Sequence, residues 1–510
     1  MAVDQTHPAY DAALPTWTLC RDVAAGARVV KSKGSAYLLK PSGMSLEDSR
    51  HYSERAALFS ALPRTIMALS GAIFTKPPVV EGVPAALLPQ LEDVTLRDES
   101  LEDVAHMAVE EVLRVGRFGI LVDMPESGAS GSRPYWCLVP AERIVNWRTA
   151  RVGDDPEQLV QLVLREDVDV PTADGFGRKT VAQFRELALA AGDQGFVYQV
   201  RTWTKSDPAY VVSTVNTPFT AGEWITPLRR GVPLDFIPFT FVGPAGVTPD
   251  VAKPPLEDLA DVVIAHFRNS ADLEWGLFLV ALPTPYASGV VGDGKAPLKI
   301  GPSVVWMLEK EGKAGLLEFT GAGLAAIKEA MAAKERHMAV LGGRLLLEEA
   351  NAKNAETATS ARLRYSAEAA SLRTIAGAVA AALTRALRWH VWWTSTGEAL
   401  PLSVEVRLSD EFFQVRASAD EVRAALLAVQ AEQMSFKSFF AFLQRGGWAR
   451  PGVTVEQERA EILGQGSGGG ALDDGGDPSL LPPPAPKTIE VQRDGAGRPI
   501  KYVVVDGGMP

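Results

Sequence analysis

The chain has little of what several protein classes require. It holds only two cysteines in 510 residues, Cys20 and Cys137, too few for a disulfide framework or a cysteine zinc site, so a reducing cytoplasm is expected. The most hydrophobic run, residues 277–282, falls far short of the roughly 20 residues that cross a bilayer. Residues 1–7 lack a basic start followed by an apolar segment, so no signal peptide is expected. The sequence therefore predicts neither a membrane protein nor a disulfide-stabilised secreted one.

Catalytic and metal-binding patterns are also scarce. The six histidines are isolated, and none belongs to an HExxH or Cys–His zinc motif. No GxSxG nucleophile elbow occurs. Adjacent carboxylates such as Glu110 and Glu111 diverge on a helix, so they cannot share a substrate. The sequence therefore predicts no catalytic residue, no metal site and no cofactor, and the protein is not expected to be an enzyme.

Three short segments suggest chemistry only weakly. Residues 321–326 (GAGLAA) have the GxGxxA form of a dinucleotide-binding turn, but the chain stays helical past Glu335 where a second strand is needed, which favours a plain helix start. Residues 175–180 (GFGRKT) resemble a phosphate loop, but a hairpin turn is the better interpretation. Residues 388–393 (RWHVWW) fit packing at a helix end better than a stacking platform for nucleic acid.

The charge balance is acidic, with 51 Lys and Arg against 62 Asp and Glu and a net charge of −11. Such a chain is a poor candidate for a free DNA-binding protein, although it could still enclose DNA without gripping it. The charges are unevenly spread. Residues 92–126 contain ten acidic side chains against three Arg, whereas residues 324–390 contain ten Lys or Arg against six Glu. Differently solvated faces are the simplest interpretation.

The first part of the chain mixes helices and strands, which predicts an α+β fold. Residues 1–45 are expected to form an irregular arm. Apolar residues at helical spacing predict a helical stretch from 45 to 74, broken or kinked at Pro63. Residues 100–103 (SLED) have the form of a capping box before a helix that Gly116 and Gly119 should end. Residues 120–123 then form a short buried strand.

Residues 135–242 have a pattern typical of β-structure, with a hairpin turn signal at Asp174-Gly175. The strand candidates are residues 159–164, 197–203, 210–212 and 237–242.

Three long helices follow, at residues 256–281, 321–346 and 357–393, with a small β-insert at 282–319 and a polar stretch at 348–354. The two helices that flank the insert have narrow apolar stripes, which cannot bury enough surface in one chain. Identical copies packed side by side in a closed ring could cover them. The pattern therefore favours a homo-oligomeric ring.

The C-terminal part is expected to contain helices that begin near Ser418 and Ser435. A flexible, Gly- and Pro-rich linker at 464–486 should follow. A solitary hairpin around Asp494-Gly495 is predicted to end the chain, and because a lone hairpin is marginal in water, it should dock on a partner or be mobile.

The order of several segments resembles the portal proteins of tailed bacteriophages, a family often labelled a portal-like domain of unknown function. The resemblance spans roughly residues 45–445. The segments that carry it are 55–59 (RAALF), 63–65 (PRT), 71–78 (GAIFTKPP), 112–123 (VLRVGRFGILVD), 140–148 (PAERIVNWR), 237–243 (IPFTFVG), 255–260 (PLEDLA), 265–272 (AHFRNSAD) and 355–358 (AETA).

The resemblance implies a portal-type fold and a dodecameric ring at one vertex of the capsid, in the virion, assembled in the host cytoplasm. It divides the chain into an N-terminal arm at 1–45, an α/β wing at 46–255, stem helices at 256–281 and 320–346, a β clip at 282–319, a tunnel loop at 347–356, a long wing helix and strand at 357–417, crown-like helices at 418–463, a linker at 464–487 and a terminal hairpin at 488–510.

The resemblance further implies a conduit for double-stranded DNA during packaging and ejection. The expected partners are the terminase large subunit, the head–tail adaptor, the major capsid and scaffold proteins, and DNA that passes non-specifically, with no membrane. The expected DNA-facing residues of the tunnel loop are Glu348, Glu349, Asn351, Lys353 and Asn354.

Two alternatives stay open. One is another ring-forming head–tail or baseplate protein, although adaptors are usually much shorter. The other is a nucleotide-binding enzyme that uses residues 321–326.

Overall fold

The computed structural model confirms an α+β fold. It describes residues 3–125, 132–151, 157–172, 175–192, 195–205, 219–281, 284–290, 306–317, 321–342, 358–410, 412, 419–445, 448–450, 453–466, 488–493 and 499–505. The described helices are α1 (Pro8–Ala25), α2 (Ala27–Ser32), α3 (Leu46–Arg55), α4 (Ala61–Ile73), α5 (Leu101–Val115), α6 (Glu257–Ala281), α7 (Ala322–Leu341), α8 (Ala358–Thr394), α9 (Ala419–Gln430), α10 (Phe436–Arg445) and α11 (Val455–Gly466).

The described strands form antiparallel pairs in small sheets. They are β1 (Val79–Glu81), β2 (Phe118–Asp123), β3 (Tyr135–Pro140), β4 (Ile144–Ala150), β5 (Gln158–Pro171), β6 (Arg178–Gly192), β7 (Gly195–Lys205), β8 (Phe219–Ala221), β9 (Leu228–Arg229), β10 (Val232–Pro233), β11 (Phe239–Val242), β12 (Thr284–Val290), β13 (Leu308–Leu317), β14 (Glu405–Arg407), β15 (Thr488–Arg493) and β16 (Pro499–Val505). The larger sheets have the orders β4-β5-β6-β7-β8 and β11-β2-β3.

The chain divides into two compact units, Met1–Phe413 and Gln414–Pro510. The core of the first unit lies where α5 packs on α1, α4 and α8, beside the sheet β11-β2-β3. Helix α5 is amphipathic, and its buried stripe includes Val104, Ala108 and Val112. Burial of this stripe is the main contribution of α5 to stability, since an isolated helix of this length is marginal in water.

The N-terminal segment is helical, so the prediction of an irregular arm at 1–45 is wrong. The ring Nδ1 of His7 accepts the N–H of Ala9 at 3.1 Å and caps α1, and Pro8 occupies the first turn, where its missing N–H costs nothing. Trp17 and Cys20 are fully buried. Pro15 within the helix obscured the periodic pattern, but burial of the apolar face outweighs its cost.

The break in the first predicted helical stretch lies earlier than expected. Helix α3 ends at Arg55 and α4 begins at Ala61, so Pro63 falls within the first turn of α4 and does not interrupt a helix. Proline is tolerated there because the first N–H groups of a helix have no intrahelical partner.

The predicted capping box is confirmed. Ser100 and Asp103 exchange side-chain-to-backbone hydrogen bonds at the start of α5. Gly116 ends the helix in the left-handed conformation, as predicted. Gly119 does not end the helix but lies inside β2, where a Cβ atom would come within 2.3 Å of the Phe239 ring. The predicted short strand therefore begins two residues earlier than expected.

The β-rich region contains a long strand that the sequence pattern did not reveal. Strand β6 pairs along its length with β5 and β7. The strands predicted at 159–164, 197–203 and 237–242 are observed as β5, β7 and β11, whereas 210–212 lies outside the described residues. Gly175, with φ of 74°, lies between β5 and β6, so the hairpin turn is confirmed.

The three long helices are confirmed as α6, α7 and α8, with bounds within one residue of prediction except at the end of α7, beyond which the chain is not described until α8. The second unit contains α9, α10 and α11 and the terminal hairpin β15–β16. Helix α11 continues to Gly466, so the predicted linker begins later than residue 464, and residues 467–487 lie outside the described part.

Candidate functional site

The tunnel-loop residues proposed from sequence cannot be placed. All of them lie between α7 and α8, outside the described residues. They are Glu348, Glu349, Asn351, Lys353 and Asn354. The elements that lead toward this segment are described, and among them the helix pair α6–α7 is the candidate functional site.

Helices α6 and α7 pack side by side and antiparallel. Near one end, Lys334 Nζ donates to Asn269 Oδ1 at 3.2 Å, and His266 Nε2 lies 3.3 Å from Glu335 Oε1. Near the other end, Gly276 faces Leu324, whose Cδ2 would be 2.5 Å from an added Cβ. Because the residue numbers of the contacts increase along α6 as they decrease along α7, the two helices run in opposite directions.

The first half of α6 is embedded in the body of the first unit. Leu259, Val263 and Phe267 are fully buried, as are the small residues Ser270 and Ala271. This apolar stripe follows the helical period, so the same residues that define the helix in the sequence also fasten it to the core.

Polar contacts reinforce this attachment. Tyr52 Oη donates to Asp272 Oδ1 at 2.6 Å, and Ser270 Oγ accepts the N–H of Ala57 at 2.8 Å. Burial, together with the hydrogen bond to Asp272, raises the pKa of the Tyr52 hydroxyl. The hydroxyl therefore stays protonated and serves as a donor throughout the physiological pH range.

The far half of α6, taken as residues 275–281, is apolar on every side but is not covered to the same degree. Residues 275–281 read WGLFLVA, and at 100° per residue Leu277, Phe278, Leu279 and Val280 point in four different directions. Leu277 is 37% exposed and Leu279 is 41% exposed. A helix that is apolar all round is normally buried, so this segment lacks part of its packing in the single chain.

The pair ends in the antiparallel hairpin β12–β13, which the sequence analysis expected as short strands. Tyr286 and Leu316 on this hairpin are largely exposed. The outer face of α7 exposes small or charged residues such as Ala325, Ala326 and Glu329. The end of α6 and the hairpin therefore expose apolar residues, and the outer face of α7 exposes small ones.

The apolar run at 277–282 was evident in the sequence, but it was not predicted to be an incompletely covered end of α6. Trp275, Leu279 and Val280 were therefore not assigned a role in the candidate site. The signal was present, because four consecutive apolar residues on a helix cannot all face one core.

Perturbed ionisable groups elsewhere are parts of the packed body. Burial lowers the pKa of His390 to about 4, with a smaller effect from Arg133, and its Nε2 lies 2.9 Å from Gln90 Oε1. Burial likewise lowers the pKa of Arg117 to about 9, and its guanidinium lies 4.3 Å from the Trp147 ring. These groups support packing and are not arranged around a substrate cleft.

The weak motifs take ordinary structural roles. Gly321, with φ of 64°, precedes α7, and α7 runs without interruption to Leu341, so the preferred helix start is confirmed. In the segment 388–393, Trp389 and Trp393 are buried, which agrees with packing at a helix end.

Two features are absent from the described part of the chain. No three His, Cys, Asp or Glu side chains there are grouped so that they could hold a metal ion. Within those same residues, no helix is both long enough and apolar enough to cross a membrane.

Comparison with known proteins identifies one family model. Residues 255–394 match a family described as a domain of unknown function, DUF4055. The matched span contains α6, the β12–β13 hairpin, α7 and α8. No curated protein matches the sequence.

Several solved structures are similar to the chain at low identity. A chain in the virion of a native gene transfer agent particle is 14% identical with a TM-score of 0.37, covering 81% of this chain and 98% of that one. A chain in the neck of the native particle with C12 symmetry is 14% identical with a TM-score of 0.35, covering 75% and 89%. A chain in the neck of the empty particle with C6 symmetry is 14% identical with a TM-score of 0.36, covering 76% of this chain and 90% of that one.

Proposed function

We propose that the protein is a structural component of a phage-like head–tail particle and serves as its portal, a ring through which double-stranded DNA passes. The observation that carries the proposal is the helix pair α6–α7, whose far half is apolar all round and incompletely covered. The resemblance of the sequence to portal proteins agrees with this interpretation.

Identical neighbours are the simplest cover for such a surface. Burying one exposed leucine side chain contributes about 1.5–3 kcal/mol, and a ring repeats this contribution at every joint. At 1.5 Å per residue, α6 is about 37 Å long, enough to line a wall when copies stand side by side. The first unit would then form the outer body and the helix pair the wall.

The regions keep the roles that the resemblance gives them. Residues 46–255 would be the wing, α6 and α7 the stem, 282–319 the clip, 347–356 the tunnel loop, 357–417 the long wing helix with its strand, and 418–463 the crown-like helices. Residues 1–45 would belong to the wing body instead of a free arm, because α1 packs on α5 and α6.

The partners follow from this assignment. The clip, with the exposed Tyr286 and Leu316, would meet the terminase large subunit during packaging and the head–tail adaptor afterwards. The body would contact the major capsid and scaffold proteins. The ring would have twelve subunits at one vertex of the virion, and its assembly would take place in the host cytoplasm.

A conduit must let DNA slide, so it should not hold phosphates tightly. Every net phosphate contact adds to a salt-dependent affinity, and a ring multiplies each contact by its subunit number. A tunnel loop with Lys353 beside Glu348 and Glu349 would keep this attraction small. The double substitution Glu348→Lys/Glu349→Lys should slow or stall DNA packaging in vitro. An unchanged packaging rate would exclude the tunnel-loop assignment.

Electron microscopy of the purified full chain tests the main proposal. We expect a closed ring with a central channel, and mass photometry should give a mass that is a multiple of the 54.7 kDa protomer. A monomer at micromolar concentration, or an open filament, would contradict the proposal.

The alternatives predict different results. A nucleotide-binding enzyme using residues 321–326 would release or absorb heat when titrated with NAD or ATP, and the portal would not. Another ring-forming head–tail or baseplate protein would form a ring but would not stimulate DNA packaging by terminase.

A further inference from the structure

A groove of about 1330 Å³ runs along one side of α8. The residues that line it include Phe236, Gly377 and Ala380. A Cβ atom added at Gly377 would meet no atom within 4 Å, so the space above this residue is open. The groove is therefore large enough, and has enough apolar lining, to receive a protruding apolar side chain.

Three arginines of α8 also line the groove, and no carboxylate of the described residues forms an ion pair with them. Arg385 has no hydrogen bond or ion pair among the described residues. Arg373 donates to the backbone carbonyl of Asp410 at 3.3 Å, and Arg388 donates to two other backbone carbonyls at 2.9 Å. A carbonyl group satisfies a donor but does not cancel a charge, so the groove attracts carboxylates.

A second surface of the first unit has the complementary character. In the turn before α5, both Leu96 and Asp98 have φ of 61°, the left-handed conformation that side-chain-bearing residues rarely adopt. The carboxylate of Asp93 accepts the N–H groups of Arg97 and Asp98 at 3.0 and 3.1 Å and holds the turn in place. The guanidinium of Arg133 in turn binds Asp93 at 2.5 Å.

This turn presents an apolar side chain surrounded by acids. Leu96 is 46% exposed. Glu92, Asp98 and Glu102 are also exposed, and none of their carboxylates pairs with another described residue. A left-handed residue other than glycine costs about 1–2 kcal/mol, and strain of this kind is retained most often where function requires it.

We propose that the turn at residues 94–99 of one copy docks in the α8 groove of a neighbouring copy. Leu96 fills the open space above Gly377, and the carboxylates face Arg373 and Arg385. The contact joins two different surfaces of identical chains, which is the geometry that generates rings. This inference rests on the proposed ring and names one joint within it.

A second copy fits the groove better than DNA does. Apolar residues such as Phe236 and Ala380 line part of the groove, and a phosphate backbone has no apolar group to place against them. The chain itself carries a turn with both the apolar tip and the carboxylates that this groove selects.

Mixing two variants of the full chain tests the joint. The groove variant carries Arg373→Glu/Arg385→Glu, and the turn variant carries Leu96→Lys/Asp98→Lys. Each alone should need at least 10-fold more protein for half-maximal assembly, measured by mass photometry. At protein concentrations where each alone stays monomeric, the mixture should form dimers, because one intact turn and one intact groove remain but the chain of contacts cannot close.

The substitution Leu96→Gly separates docking from folding. Glycine adopts positive φ without strain, so the melting temperature of the monomer should stay the same or rise while assembly weakens. Arg28→Glu and Glu47→Lys, at exposed positions on α2 and α3, each reverse one charge away from the groove and the turn and should assemble as the wild type does.

The outcomes are distinct. Rings of wild-type protein together with normal assembly of the groove and turn variants would overturn the joint but leave the proposed function intact. Absence of rings in the wild type would overturn both. If the groove variant assembled normally but lost affinity for a fluorescent DNA duplex, the groove would be a DNA site and the joint would be wrong.

Discussion

The two halves of α6 have similar apolar content but different surroundings. In the first half, residues such as Val263 and Phe267 are enclosed by the body of the same chain. In the second half, Leu277 and Leu279 keep more than a third of their surface exposed. The near half therefore stabilises the fold, and in the proposed ring the far half would form contacts between copies.

The difference also shows why hydrophobicity alone does not reveal which residues form a core. The near half has one apolar stripe because it has one core to face. The far half is apolar all round because, in the proposed ring, it would have neighbours on several sides. The same type of substitution should therefore have different effects in the two halves of α6.

The largest effect on folding is expected in the near half. Replacing Phe267 by Ala should lower the free energy of unfolding by about 3–5 kcal/mol, because it leaves a cavity in a fully enclosed site. Urea unfolding of the monomer measures the loss. The matched change Phe278→Ala, in the far half, should cost less than half as much. Equal costs would show that the halves are equally packed.

The next effect concerns assembly. The double substitution Leu277→Glu/Leu279→Glu should weaken ring formation at least 100-fold, since charges replace the apolar contact with a neighbour. Urea unfolding of the monomer should change by less than about 1 kcal/mol, because both positions are partly exposed. Sedimentation velocity measures assembly. Rings that form at the wild-type concentration would show that the far half faces solvent.

The enclosed body is also expected to be sensitive to acid. The pKa of His390 is lowered by burial to about 4 from its ordinary value of 6.5, so the folded chain keeps the ring neutral while the unfolded chain takes up a proton. Stability from this group is therefore present above pH 6.5 and falls by about 3 kcal/mol as the pH drops to 4.

Substitution of this histidine isolates the effect. The variant His390→Asn should flatten the fall in unfolding free energy between pH 6.5 and 4. Identical pH profiles for His390→Asn and the wild type would contradict the assignment.

The smallest expected effect is the difference in stability between alanine substitutions at two glycines. In β2 a Cβ at position 119 would meet the packed ring of Phe239 at 2.3 Å, so Gly119→Ala should cost about 1–3 kcal/mol. In α6 a Cβ at position 276 would meet the flexible end of Leu324, and alanine favours the helix, so Gly276→Ala should stay within about 1 kcal/mol of wild type. Thermal unfolding measures both, and a larger loss at 276 would reverse the contrast.

Regular periodic segments were predictable from the sequence. The bounds of α6 and α8 and the capping box at Ser100 followed from local patterns, because the physics that sets them is local. Helix α1 was missed because Pro15 and polar neighbours hide its stripe, and only burial of residues such as Trp17 reveals it.

Strand β6 was also not predicted, but for a different reason. Its sequence around 182–191 (AQFRELALAA) favours a helix by propensity, but β5 and β7 on either side impose a strand. Burial alone would raise the pKa of Glu186, but hydrogen bonds from Arg201, Trp203 and Gln161 lower it and keep a charge within the sheet. Such long-range partners cannot be read from a local window.

The candidate site was partly accessible from the sequence. The helix pair and its β-insert were predicted, and the tunnel-loop residues remain a prediction. The strained turn at Leu96 and the open groove beside Gly377 were not predicted, since positive φ at a leucine and empty space above a glycine appear only after folding.

The antiparallel course of α6 and α7 has a consequence for diversification. The chain leaves the body along one helix and returns along the other, so the two attachment points of the β12–β13 tip lie next to each other, with Val280 beside Gly321. Because both ends of the tip are attached at neighbouring positions, a hairpin of different length or sequence could replace it without moving α6 or α7. Related chains could therefore carry a different tip at this place while the rest of the chain stays the same.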